Sequence, residues 1–111
     1  MRELNLDLNE NDVNAICTAL DLLVSLNLEK TEKQSQINAQ LAYFASIKLQ
    51  NNSPQLTANE ARIVYAAVSC AKLILAGAYS VETEKKKELA PYIFNYNRLE
   101  RQLQVLDDML L

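Results

Sequence analysis

TANEARIVYAAVSCAKLILAGAY, residues 57–79, reads as a helix that is apolar almost all the way round. Its polar breaks, Arg62, Ser69 and Lys72, make one narrow stripe, and a helix with so little polar surface has to be buried on most sides. Thr57 with Glu60 three residues later is a capping box, which sets the start of this third helix. Ala67, Ala71 and Gly77 are small and let neighbouring backbones come close. Gly77 also weakens the helix near its end, by up to ~1 kcal/mol relative to Ala. Every other segment reads as cover for this helix.

Working back toward the N-terminus, Asn51-Asn52-Ser53-Pro54 is the clearest loop. A second helix is expected before it, from about Thr31 to Gln50, with Ile37, Leu41 and Phe44 facing inward and Ile47 on the flank. A first helix is expected from an Asn9 cap to about Leu28. Asn9 can accept the Asp12 amide, the Asp12 acid suits the positive end of the helix dipole, and Val13, Ile16, Leu20 and Leu23 form an inward stripe. Residues 2–8 alternate, Leu4, Leu6 and Leu8 against Glu3, Asn5 and Asp7, which describes an extended arm. The pattern shows no second strand, so the arm is expected to lie over the bundle or to pair with its own copy in a dimer.

Toward the C-terminus, a fourth helix is expected over Thr83–Leu110. Leu89, Tyr92, Tyr96, Leu99, Leu103, Leu106 and Leu110 recur at alternating spacings of three and four, a coiled-coil-like seam. Pro91 lies inside that pattern and removes an amide, so a kink or a separate turn is expected there. The expected fold is all-α: one domain, a four-helix up-down-up-down bundle made of two helical hairpins. Its parts are an extended arm at 1–8, a first hairpin at 9–50 and a second at 56–111. The hairpins resemble each other. Shifted by 48, Asn11, Asp12 and Ala19 fall on Asn59, Glu60 and Ala67; shifted by 52, Ile37, Leu41 and Phe44 fall on Leu89, Ile93 and Tyr96.

Composition narrows the function classes. The 111 residues suffice for one core, and one Gly with two Pro is too few turn formers for a sheet-rich fold. The net charge is −3, and neither half of the chain is basic, which argues against a nucleic-acid partner. Lys85-Lys86-Lys87 interleaves with Glu82, Glu84 and Glu88 and reads as a solvated face with local ion pairs. Ile63–Val81 carries one charge, but Lys72 near a bilayer centre costs about 2.5–3.5 kcal/mol, so no membrane span is expected. The N-terminus lacks the apolar core of a signal peptide, so the cytoplasm is the expected compartment. Cys17 and Cys70 read as small buried hydrophobes rather than a disulfide pair.

There is no histidine, the usual acid–base group, and no inward Glu-x-x-His for a metal pair. No enzyme activity, cofactor or metal is expected. The reading is a non-catalytic structural or protein-interaction module whose partner is itself, as a homodimer, or another protein. Leu22 and Leu26 fall outside the stripe of the first helix, Phe94 and Val105 outside the seam of the fourth; these four are the candidate self-association face. The alternative is a small molecule or peptide held in a tyrosine-lined pocket between helices. Its contacts would be Arg62, Lys72, Tyr65, Tyr92 and Tyr96.

Overall fold

The computed structural model of the chain describes residues 3–5, 8–28, 33–51, 55–78 and 80–110; for 3–5, 27, 28, 55, 56 and 105–110 only the backbone is described. The elements are β1 (Glu3–Asn5), α1 (Glu10–Leu28), α2 (Lys33–Gln50), β2 (Gln55–Thr57), α3 (Ala58–Leu75), α4 (Thr83–Leu89), a 3₁₀ turn (Ala90–Tyr92) and α5 (Ile93–Leu110). The fold is an all-α bundle of four helical arms, the fourth being α4, the turn and α5 in succession. Pro91 sits in the first positions of the 3₁₀ turn, so the expected interruption is present there. The seam runs through it: Leu89, Tyr96, Leu99 and Leu103 are buried, and Tyr92 packs against the core.

α3 starts where its sequence says. The Glu60 amide donates to Thr57 Oγ1 (3.2 Å) and the Thr57 amide donates to Glu60 Oε1 (2.9 Å). It ends earlier than expected, at Leu75, four residues short of Tyr79. Gly77 lies beyond the helix, at φ +83°. The Gly77 amide donates to the Ile74 carbonyl (3.1 Å) and the Ala78 amide to that of Leu73 (2.9 Å). These two bonds are a Schellman termination, which needs a left-handed residue and therefore favours glycine. Gly77 ends the helix rather than weakening it from within.

The centre is shared between α3 and α1. α3 contributes Ile63, Val64, Ala67, Val68, Ala71 and Ile74; α1 contributes Ala15, Ile16, Ala19, Leu20 and Leu22. α1 touches α2, α3, α4 and α5, so its buried arc is wider than one stripe. Leu22, expected on an outer face, is therefore in the core at 7% exposure, and Leu26 packs half-buried against it.

Two further expectations fail. The arm does not need a second copy: β1 pairs antiparallel with β2 of its own chain, in the register Glu3↔Thr57, Leu4↔Leu56, Asn5↔Gln55. The other failure is the face of α2. Its buried residues are Ser35, Ala39, Ala42, Ala45, Ser46 and Leu49. Ile37, Phe44 and Ile47 are exposed at 39%, 55% and 36%. Two contacts accompany this rotation. Lys48 on one edge meets Glu60 of α3, and the Ser46 carbonyl on the other accepts the Cys17 thiol at 3.9 Å. The arc between those edges holds the alanines, and α1 packs closely along it.

Ala67 and Ala71 are 1% and 0% exposed, so neither position has room for a larger side chain. Ala67→Leu or Ala71→Leu is expected to destabilise the chain by about 1–3 kcal/mol through overpacking. Chemical denaturation checks this, and an unchanged midpoint for both variants would remove α3 from the buried centre.

Candidate functional site

Two buried carboxylates fix the frame on which any surface is presented. Asp12 is 1% exposed. Its amide donates to Asn9 Oδ1 (2.8 Å), and its carboxylate accepts from the Asn9 amide (3.3 Å), from Asn95 Nδ2 (2.8 Å) and from the Arg98 guanidinium. α1 thus has its own reciprocal cap, closed by an aspartate. Glu60 does the same for α3 and receives Lys48 Nζ at 2.7 Å. Burial pushes the Glu60 carboxyl up, but the Lys48 ammonium and the Thr57 donors outweigh it and hold the group below the usual range.

The arrangement is reciprocal. The first helix of each hairpin carries the capping acid, and the second helix of the other hairpin carries its cation. Lys48 and Arg98 lie 50 positions apart. At that offset the burial of α2 and α5 also agrees: Leu49 and Leu99 are buried at 2% and 1%, Phe44 and Phe94 exposed at 55% and 82%. The offset of 52 read from sequence would match exposed Phe44 with fully buried Tyr96. The spatial correspondence of the second helices is therefore 50.

With α2 held in this rotation, its outer face is apolar. Ile37, Tyr43, Phe44 and Ile47 are exposed, and the Tyr43 and Phe44 rings meet edge to face at 6.0 Å. A shallow, mainly apolar depression of about 310 Å³ lies beside them, lined by Val24, Gln36, Ala39, Gln40, Tyr43 and Phe44. α2 contains no Asp or Glu, and its two cations are Lys33 at the start and Lys48, already paired, near the end. Large apolar side chains on one helical stripe, without interspersed charge, are suited to a partner surface rather than to water.

The residues singled out from sequence do not gather into one site. Tyr96 is wholly buried and donates its hydroxyl to the Ala15 carbonyl at 2.8 Å; burial pushes its phenol up. It meets Tyr92 edge to face at 6.3 Å, as part of the core seam. Tyr65 is half-buried against the core. Lys72 pairs with Glu100 at 2.8 Å, tying α3 to α5. Arg62 borders a different shallow groove, between α2 and α3. Of the proposed self-association face, Phe94 is exposed, Leu22 is in the core, Leu26 is half-buried, and the side chain of Val105 lies outside the described residues.

A groove of about 340 Å³ between α1 and α4 holds one of the tyrosines, Tyr92, with Thr18, Asp21, Ser25, Lys85 and Glu88. Burial, and then the charge of Glu88, push the Asp21 carboxyl up. Among the described residues no buried side-chain polar atom lacks a partner, so the interior points no unsatisfied group at a ligand. Cys17 is buried and Cys70 half-buried; neither is in a disulfide, and burial pushes both thiols up. Among the described residues no helix is long and apolar enough to cross a membrane. No family model, curated protein or solved structure matches this chain.

Two predictions follow from the carboxylates. Arg98→Ala leaves Asp12 buried without its cation and is expected to cost about 1–3 kcal/mol in denaturant unfolding, against about 0.5 kcal/mol or less for the exposed Arg101→Ala. Equal effects would show that Asp12 does not depend on Arg98. Glu60, with its folded value lowered, adds stability that is present above the ordinary glutamate value near ~4.3 and is lost as pH falls through the folded value. Glu60→Gln should therefore flatten the acid limb of the stability–pH profile; an unchanged slope would contradict the assignment.

Proposed function

We propose that this chain is a non-catalytic interaction module that self-associates, and that its contact face is the outer side of α2. The observation that carries the reading is the inversion of that helix: alanine and serine fill its buried face while Ile37, Tyr43, Phe44 and Ile47 stand in solvent. Full burial of a large apolar side chain is worth about 1.5–3 kcal/mol, and with 36–58% of their surface still exposed these four residues leave roughly half of that for a partner to gain. Phe94 does not make a comparable face, because the residues one turn away on either side, Ala90, Pro91, Asn97 and Arg98, are small or polar; a lone exposed aromatic is ordinary. The reading places the protein in the cytoplasm, where the two unpaired thiols stay reduced.

The alternative of a tyrosine-lined ligand pocket has less support. Its central member, Tyr96, is committed to the Ala15 carbonyl, and the α1–α4 groove keeps one of the five tyrosines.

Light scattering at micromolar concentration is expected to give a dimer mass for the wild-type chain. Phe44→Glu combined with Ile47→Glu is expected to give a monomer with unchanged helical circular dichroism, since both residues are exposed. Leu22→Glu is no substitute, because it places a carboxylate in the core. A wild-type monomer at high concentration would overturn the self-association reading.

A further inference from the structure

The outer face of α2 has a spacing that fits a copy of itself. Ile37, Gln40, Phe44 and Ile47 are separated by three, four and three residues, one side of a helix–helix seam. Laid antiparallel about a twofold axis, such a seam pairs its first residue with its last and its second with its third. Ile37 then meets Ile47 of the second copy, and Gln40 meets Phe44 of the second copy. A symmetric interface requires this reciprocity, with each contact made twice.

Three observations commit the occupant to a second copy in this orientation. The first is the depression of about 310 Å³ that borders the seam at Gln40 and Phe44 and runs toward Val24 of α1, so that each chain offers a hole beside the Phe44 knob. The second is charge. No acid lies on α2, and between Lys33 and Lys48 it carries no cation, so two copies meet without like charges opposed. The same near-neutrality leaves an anionic membrane or an acidic peptide one cation on this face, Lys33, because Lys48 is already engaged by Glu60. The third is Lys33, an exposed cation in the first turn of α2, where the dipole of its own helix disfavours it. Antiparallel packing sets Lys33 beside the negative end of the partner helix near Gln50 and Asn51; parallel packing would set Lys33 against Lys33.

We propose that two copies of this chain dock antiparallel through α2, each inserting Phe44 into the depression beside Gln40 of the other, with Ile37 against Ile47 at both ends of the seam. The proposal rests on the reading of α2 as the self-association face and adds the orientation and the register.

Disulfide trapping in the full chain tests it, with Cys70→Ser as background and buried Cys17 retained. Under mild oxidation, Ile37→Cys alone and Ile47→Cys alone are expected to stay uncrosslinked, whereas their equimolar mixture and the double variant give a covalent dimer. In parallel, Phe44→Ala should raise the dimer dissociation constant at least about tenfold, as expected of a central aromatic anchor, and Phe94→Ala by less than about twofold. A dimer mass in which Ile37→Cys crosslinks to itself, or in which the mixture does not crosslink, would overturn the antiparallel register and leave self-association standing. A monomer mass for the wild-type chain would overturn both.

Discussion

The structure depends on two carboxylates that are taken out of water and served from the opposite half of the chain. A helix N-terminus leaves backbone amides unsatisfied, and a side chain that caps it normally stays at the surface. Here Asp12 and Glu60 cap α1 and α3 from within the bundle, at 1% and 5% exposure. A buried carboxylate without a cation is costly, so each hairpin carries a deficit that the other hairpin fills: Arg98 with Asn95 for Asp12, Lys48 for Glu60. The β1–β2 ribbon joins the same two halves just before their capped helices. Neither hairpin is complete by itself, although each resembles a self-contained unit in sequence.

The exposed face of α2 follows from the same frame. In this rotation Lys48 on one edge of α2 reaches Glu60 of α3, and Ser46 on the other meets Cys17 of α1. The arc between them is the one with Ala39, Ala42 and Ala45, and small side chains there allow close backbone approach and dense packing. The large apolar residues are left on the far side. An interior of alanine and an exterior of phenylalanine and isoleucine are thus two results of one rotational constraint.

Much of this was legible in local chemistry and some of it was not. Thr57–Glu60, Asn9, the Leu89–Leu103 seam and the break at Pro91 were readable because each is set by residues within a turn or two of one another. The face of α2 is not legible because apolar periodicity ranks Ile37 and Phe44 above alanine as core formers, while in the fold the alanine face meets the other helices and Lys48 and Ser46 find partners beside it. Leu22 was misplaced because a single stripe does not describe a helix with neighbours on several sides. β2 has three residues, too few for an alternating pattern. The burial of Asp12 rests on a partner 86 positions away, which no local pattern encodes. A signal did exist: capping acids at matching places in the two hairpins, with Lys48 and Arg98 at matching places in their second helices. The candidate ligand residues scattered because tyrosines at seam spacing are core-formers first, and Tyr96 found its hydroxyl partner inside.

The reciprocal ion pairs are alike in space but unlike in time. A chain is synthesised from its N-terminus, at about 5–20 residues per second. Lys48 precedes Glu60 by 12 positions, so the cation for the second acid is already made when that acid appears. Arg98 follows Asp12 by 86 positions, an interval of roughly 4 to 17 s at those rates. Through that interval the Asp12 carboxylate has the Asn9 amide and water but neither Asn95 nor Arg98, and the side of α1 that receives Tyr96 has nothing to receive. The ribosome therefore breaks the symmetry of the fold: α3 can be closed onto α2 as it emerges, whereas the start of α1 is sealed only once the first turns of α5 have been made.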